Sequence, residues 1–182
     1  AALHAFEEQL LGYGNDAAAL FDALPLDPEC ALAKAYAAAL HLVRHTREGQ
    51  ARARPLIAEA LRLPAPTPRE TSLISAIARW ADEDADGASA ILGKWVEREP
   101  SDLFALKLLQ HLLFSGGRAQ AMLASLAPVA AALPGDARVL GMLAFAKDQT
   151  GDHYGAERAA RAALDIAPDP WAHHAMAHVF DA

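Results

Sequence analysis

The stretch Asp136–Pro168, DARVLGMLAFAKDQTGDHYGAERAARAALDIAP, contains one complete copy of the unit that decides the fold. Its first residue is an aspartate, which can cap the start of a helix. Gly151 supplies the left-handed backbone conformation that ends this helix. A second helix follows and stops at Pro168, because proline has no amide hydrogen to donate. The unit therefore reads helix, glycine turn, helix, proline.

The same unit recurs along the chain with a period of 34 residues, set by Pro66, Pro100, Pro134 and Pro168. Upstream, Thr67 and Glu70 form a capping-box pattern that predicts a helix over 68–81. Extending the phase gives an all-α chain with one domain over 1–182, made of five helical hairpins and one final helix. The predicted units are 2–24, 29–63, 68–98, 101–133, 136–167 and an incomplete 169–182. The first consists of helices over 2–11 and 16–24, and the second of helices over 29–45 and 50–63 joined by a longer turn.

Composition agrees with this helical reading and limits the classes of partner. The chain has 45 alanine and 26 leucine residues against 14 β-branched residues, which favours helix. Its net charge of −7 and lack of basic runs argue against nucleic acid, and no apolar run is long enough to cross a membrane. A single cysteine, Cys30, predicts no internal disulfide and a reducing, cytoplasmic compartment.

The repeat resembles the tetratricopeptide repeat, whose small-residue and proline positions are matched by Ala144, Ala156, Ala163 and Pro168. The resemblance implies a right-handed superhelix of hairpins, in which the first helix of each unit lines a concave binding wall. The preceding unit carries larger residues at its small-residue positions, namely Gln110, Met122 and Val129, and is a degenerate copy.

A closer resemblance comes from the C-terminal stretch, where Trp171, His174 and Ala177-His178-Val179 precede Asp181. This pattern resembles the N-terminal portion of the tetratricopeptide repeat protein 38 family. The segment Pro100–Lys107 is similar to that family as well. The resemblance implies architecture and does not imply a reaction.

Counting along the first helix of each unit predicts which side chains face the groove. A one-residue shift at Pro170 places Ala177 at a tightly packed position and turns His178 to the groove. The predicted ligand-groove residues are Trp80, Phe104, Lys107, His111, Arg138, Phe145, Asp148, Trp171, His174 and His178. Gly141 also falls on a groove position in this count.

His174 and His178 stand at i and i+4, a spacing that lets two imidazoles reach one divalent metal ion. A third ligand could come from His111, Asp148 or Asp181. Two other readings stay open, in which these histidines pack or hydrogen-bond, or contact a ligand without metal. His41, His45, His4 and His153 read as helix-end, surface or turn residues, and no catalytic residue is predicted.

The leading functional hypothesis is a non-enzymatic module that binds a protein or peptide segment in the groove. The alternative is an enzyme or metal-binding protein with a site at His174 and His178, completed by a region downstream of this chain. Because Trp171, Val179 and Phe180 lie on a final helix without a partner helix, a homo-oligomer through the C-terminal end is a third hypothesis.

Overall fold

The computed structural model describes residues 2–12 and 14–181, and over these residues the secondary structure is helical without a strand. This confirms the predicted all-α class. None of the described helices is long and apolar enough to cross a membrane. The α-helices are α1 (Ala2–Leu11), α2 (Leu20–Ala23), α3 (Ala31–Leu42), α4 (Arg47–Ala60), α5 (Pro68–Ala81), α6 (Ala85–Arg98), α7 (Leu103–Ser115), α8 (Ala119–Ala132), α9 (Ala137–Gln149), α10 (His153–Ile166) and α11 (Pro170–Asp181).

The local signals read from the sequence act as predicted at both ends of the helices. Thr67 and Glu70 form a reciprocal capping box, and α5 covers the predicted residues. The Asp136 carboxylate accepts hydrogen bonds from the first amides of α9. Gly151 adopts a φ of 82° in the turn after α9, where a side chain would be strained.

The N-terminal region departs from the prediction. The helix expected over 16–24 is broken into a 3-10 turn at Ala17–Ala19, the single turn α2 and a second 3-10 turn at Leu24–Leu26. Pro25 lies inside the last of these and has no amide hydrogen to continue the α-helical ladder. Three short helical turns therefore stand where the sequence predicts one continuous second helix.

The connection between α3 and α4 also differs from the prediction. Helix α3 ends before His45, which takes a left-handed φ of 49°. Helix α4 starts earlier than expected because the Thr46 hydroxyl accepts a hydrogen bond from the Gly49 amide at 3.0 Å. The predicted long turn is thus a short one with its own cap.

Close contacts divide the chain into two compact units, residues 1–95 and 96–182, which are described separately. In the first unit, α3 lies against α4 and α5. The buried Tyr36 hydroxyl donates to Glu7 at 2.5 Å, and Arg69 donates to the same carboxylate oxygen at 3.0 Å. Burial and the Glu7 hydrogen bond raise the pKa of Tyr36. This polar cluster joins α1, α3 and α5.

In the second unit, α9 contacts α8, α10 and α11. Ala144 of α9 and Ala156, Ala160 and Ala163 of α10 are fully buried, so these two helices approach closely. The interpretation of these alanines as helix contacts is confirmed. A single domain over the whole chain and a tetratricopeptide-type superhelix stay predictions.

The degenerate hairpin α7–α8 uses a polar contact where the repeat pattern expects a small residue. Gln110 is buried, and its amide donates to the Met122 carbonyl at 3.0 Å and to the Ser125 hydroxyl at 2.7 Å. A buried amide needs such partners, because an unsatisfied polar group in the core is costly. Gln110 therefore ties α7 to α8 by hydrogen bonds.

Candidate functional site

Five ring side chains form a connected row across α7, α9 and α11 of the second unit. Phe145 lies at its centre, with ring centroids 5.2 Å from Phe114, 5.3 Å from Trp171, 5.5 Å from His174 and 6.2 Å from His178. We call these five residues the aromatic row. Phe145 is buried, whereas Phe114 is 47% exposed and His174 is also exposed. The row therefore has a buried centre and accessible ends.

A close helix crossing places α11 beside α9. Asp169 precedes α11, is only 3% exposed, and accepts a hydrogen bond from the Ala172 amide at 2.8 Å. A Cβ atom at Gly141 of α9 would collide with the Asp169 carboxylate. The sequence count put Gly141 on the groove, but Gly141 is buried against Asp169. Its missing side chain gives Asp169 the room to cap α11.

Asp148 of α9 contacts two imidazoles, one of which, His178, belongs to the aromatic row. Its side chain is 6% exposed, with Oδ2 3.0 Å from His178 Nδ1 and Oδ1 3.2 Å from His153 Nδ1. The Gln149 amide donates to Oδ2 at 3.0 Å. An ionised carboxylate can only accept, so both Nδ1 atoms carry the hydrogen. Asp148 thereby fixes the tautomer and the orientation of His178.

The two histidines of α11 are in ring contact, with centroids 4.4 Å apart. Partial desolvation of its ring lowers the pKa of His174, and the neighbouring His178 and Lys107 lower it further while Asp148 opposes them. His174 therefore stays neutral at pH values where an ordinary histidine begins to take up a proton.

The Lys107 side chain contacts the aromatic row at Trp171. It is 8% exposed, and its Nζ lies 3.0 Å from the centroid of the Trp171 ring. Burial lowers the pKa of Lys107 well below its usual range, and the charge of Asp169 opposes this shift. Burial likewise raises the pKa of Asp169. The charges of Lys107 and Asp169 therefore attract each other, while burial disfavours the charged form of both.

The structure brings together six of the ten predicted groove residues, namely Lys107, Phe145, Asp148, Trp171, His174 and His178. Phe104 is buried in the core of the second unit, and Trp80 is buried in the first unit beside the His45 ring. His111 is half-buried, and Arg138 contacts Asp136 at 3.4 Å. Ala177, expected at a packed position, is exposed.

No group of three or more His, Cys, Asp or Glu side chains in the described part of the chain is arranged to hold a metal ion. Asp148 contacts His178 at Nδ1 and so acts on its orientation. The side chain of Asp181, the other acidic candidate on α11, lies outside the described residues.

Sequence reasoning missed two residues that build this site. His153 was interpreted as a turn residue, yet it contacts Asp148 across the Gly151 turn. Asp169 was overlooked, although an aspartate directly before Pro170 is a typical helix-capping signal. The available signal for His153 was its position five residues after Asp148, and for Asp169 it was its position directly before α11.

Comparison of the chain with models of known families, with curated proteins and with solved structures found no match. The resemblance to the tetratricopeptide repeat protein 38 family accordingly stays an expectation from the sequence.

Proposed function

We propose that the chain is a binding module that holds a peptide segment of another protein against the aromatic row. The observation that carries this proposal is the continuous ring contact from the exposed Phe114 through Phe145 to the exposed His174. Aromatic side chains that are partly exposed and rigidly backed supply much of the binding energy at protein interfaces.

The backing of the row supports the proposal. Asp148 contacts His178, and Asp169 packs against Gly141 where α11 crosses α9. Contacts within the protein therefore order the rings before a ligand binds. A preorganised surface loses less conformational entropy on binding than a flexible one. The expected partner is a protein or peptide, and the single Cys30 favours a reducing, cytoplasmic setting.

The alternative of an enzyme or metal site at His174 and His178 has less support. Within the described residues, no group of three or more His, Cys, Asp or Glu side chains is arranged to hold a metal ion, so the pair lacks the third protein ligand that such a site uses. Association of two copies through α11, where Phe180 is 71% exposed, would appear as a dimer in sedimentation. The peptide-binding proposal expects a monomer when no peptide is present.

A random-peptide display selection tests this function. Peptides are selected on the wild-type protein and retested on a Phe114→Ala/His174→Ala double variant, whose altered side chains are exposed and whose folding is checked by circular dichroism. The control is Tyr154→Ala, which removes an 83% exposed ring on α10, outside the row. We expect binding to fall about tenfold or more in the double variant only. Failure to enrich any peptide, or equal binding to all three proteins, would contradict the proposal.

A further inference from the structure

The chemistry of the row indicates the class of peptide, and this inference rests on the proposed function. We infer that the segment carries a cationic side chain, arginine or lysine, which lies over the rings of the aromatic row next to His178 and above Asp148. Three features of the site favour a cation over an anion or a neutral polar group.

The first feature is the fixed tautomer of His178. Because Nδ1 donates to Asp148 at 3.0 Å, the neutral ring has its lone pair on Nε2. That nitrogen accepts a hydrogen bond and cannot donate one. A guanidinium or ammonium group has only donors, so it matches Nε2, whereas a carboxylate has only acceptors and does not.

The second feature is the charge of Asp148. Other charged side chains near the row have partners of opposite sign: Lys107 is coupled to Asp169, Arg138 contacts Asp136, and Lys147 contacts Asp152 at 2.8 Å. Asp148 differs, because the structure gives it two imidazoles and an amide as partners. None of these three partners is a lysine or an arginine, so the Asp148 carboxylate can still attract a cation of the peptide.

The third feature is the attraction of the ring faces for cations, for which Lys107 over Trp171 is an example; the charge of Lys107 opposes a second cation beside Trp171, so this feature concerns the exposed ends of the row. The Lys107 ammonium lies 3.0 Å from the centroid of the Trp171 ring, on the buried side of the row. The negative faces of aromatic rings attract such groups. The rings of Phe114 and His174, which contact the buried Phe145, offer the same kind of surface to solvent. A net chain charge of −7 adds a long-range attraction for cationic segments.

A titration with three blocked pentapeptides tests the inference. The peptides Ac-Gly-Leu-X-Leu-Gly-NH2 have arginine, glutamine or glutamate at X, and binding is followed by NMR at pH 7.5 through the Trp171 indole and the His174 and His178 ring signals. We expect the arginine peptide to bind about tenfold more tightly than the glutamate peptide, with the glutamine peptide between them.

Two variants separate the Asp148 charge from the overall charge of the chain. In Asp148→Asn the arginine preference should shrink by about threefold or more, while Asp165→Asn, the same change at an exposed position on α10, should retain it. If Asp148→Asn does not fold, the ranking of the three peptides on the wild type still decides. Equal binding of the three, or tighter binding of the glutamate peptide, would overturn the inference and leave the binding function standing. No change in the ring signals with any peptide would count against both.

Discussion

Replacing Gly141 by alanine tests the helix crossing that builds the site. In an isolated helix this change stabilises by about 1 kcal/mol. Here the new Cβ would displace the Asp169 carboxylate, and the Ala172 amide nitrogen is only 3.3 Å away. Loss of the helix cap costs about 0.5–2 kcal/mol, and a buried carboxylate without its donor costs about 1–3 kcal/mol more. The expected net result is a destabilisation of about 1–3 kcal/mol.

The assay is urea unfolding at pH 7.5, followed by circular dichroism and tryptophan fluorescence. With a slope of about 1–3 kcal/mol per molar urea, the midpoint should fall by about 1 M. Gly93→Ala is a matched control, because Gly93 lies inside α6 and a Cβ there would meet nothing within 4 Å. We expect that variant to gain about 0.5–1 kcal/mol. Equal stabilisation of both variants would refute the close contact between Gly141 and Asp169.

Three further predictions concern single side chains. Gln110→Ala should destabilise by about 1–3 kcal/mol in urea, since it removes two hydrogen bonds between α7 and α8, to the Met122 carbonyl and the Ser125 hydroxyl. A neutral result would contradict the hydrogen-bonded hairpin. Tyr36→Phe should cost about 1.5–3 kcal/mol because its hydroxyl donates to a carboxylate, whereas Tyr154→Phe at an exposed ring should cost nothing measurable. Because the pKa of His174 is lowered in the folded protein, the unfolded chain binds more protons just below pH 6.5, and the free energy of unfolding should fall as the pH drops through that range. His174→Gln should remove part of this fall. An unchanged pH dependence in the variant would contradict the prediction.

Much of the fold follows from local chemistry that the sequence displays. Asp136, Gly151 and the Thr67 capping box act through neighbouring backbone groups, so their effect does not depend on the rest of the chain. The alanines of α9 and α10 mark a close helix contact for a similar reason, because only small side chains allow it. These features are therefore readable from spacing alone.

The site was predicted less well because its geometry depends on contacts between helices. Counting positions put Phe104 and Gly141 on the groove, but the first is a core residue and the second lies beneath Asp169. The grouping of His178 and His153 on Asp148 spans 30 residues of chain and requires the α9–α11 packing to be known. A repeat count gives the helix on which a residue lies, whereas burial depends on what the neighbouring helices carry.

The most direct measurement of the central claim is photo-crosslinking at the aromatic row. In two variants, the photoreactive residue benzoylphenylalanine replaces either Phe114 or Tyr154. Each variant is irradiated with a peptide obtained by display selection, and crosslinked products are identified by mass spectrometry. The account predicts a crosslinked peptide at position 114 and none at position 154. A crosslink at 154 alone, or none at 114 with a peptide that binds the wild type, would show that the ligand lies elsewhere.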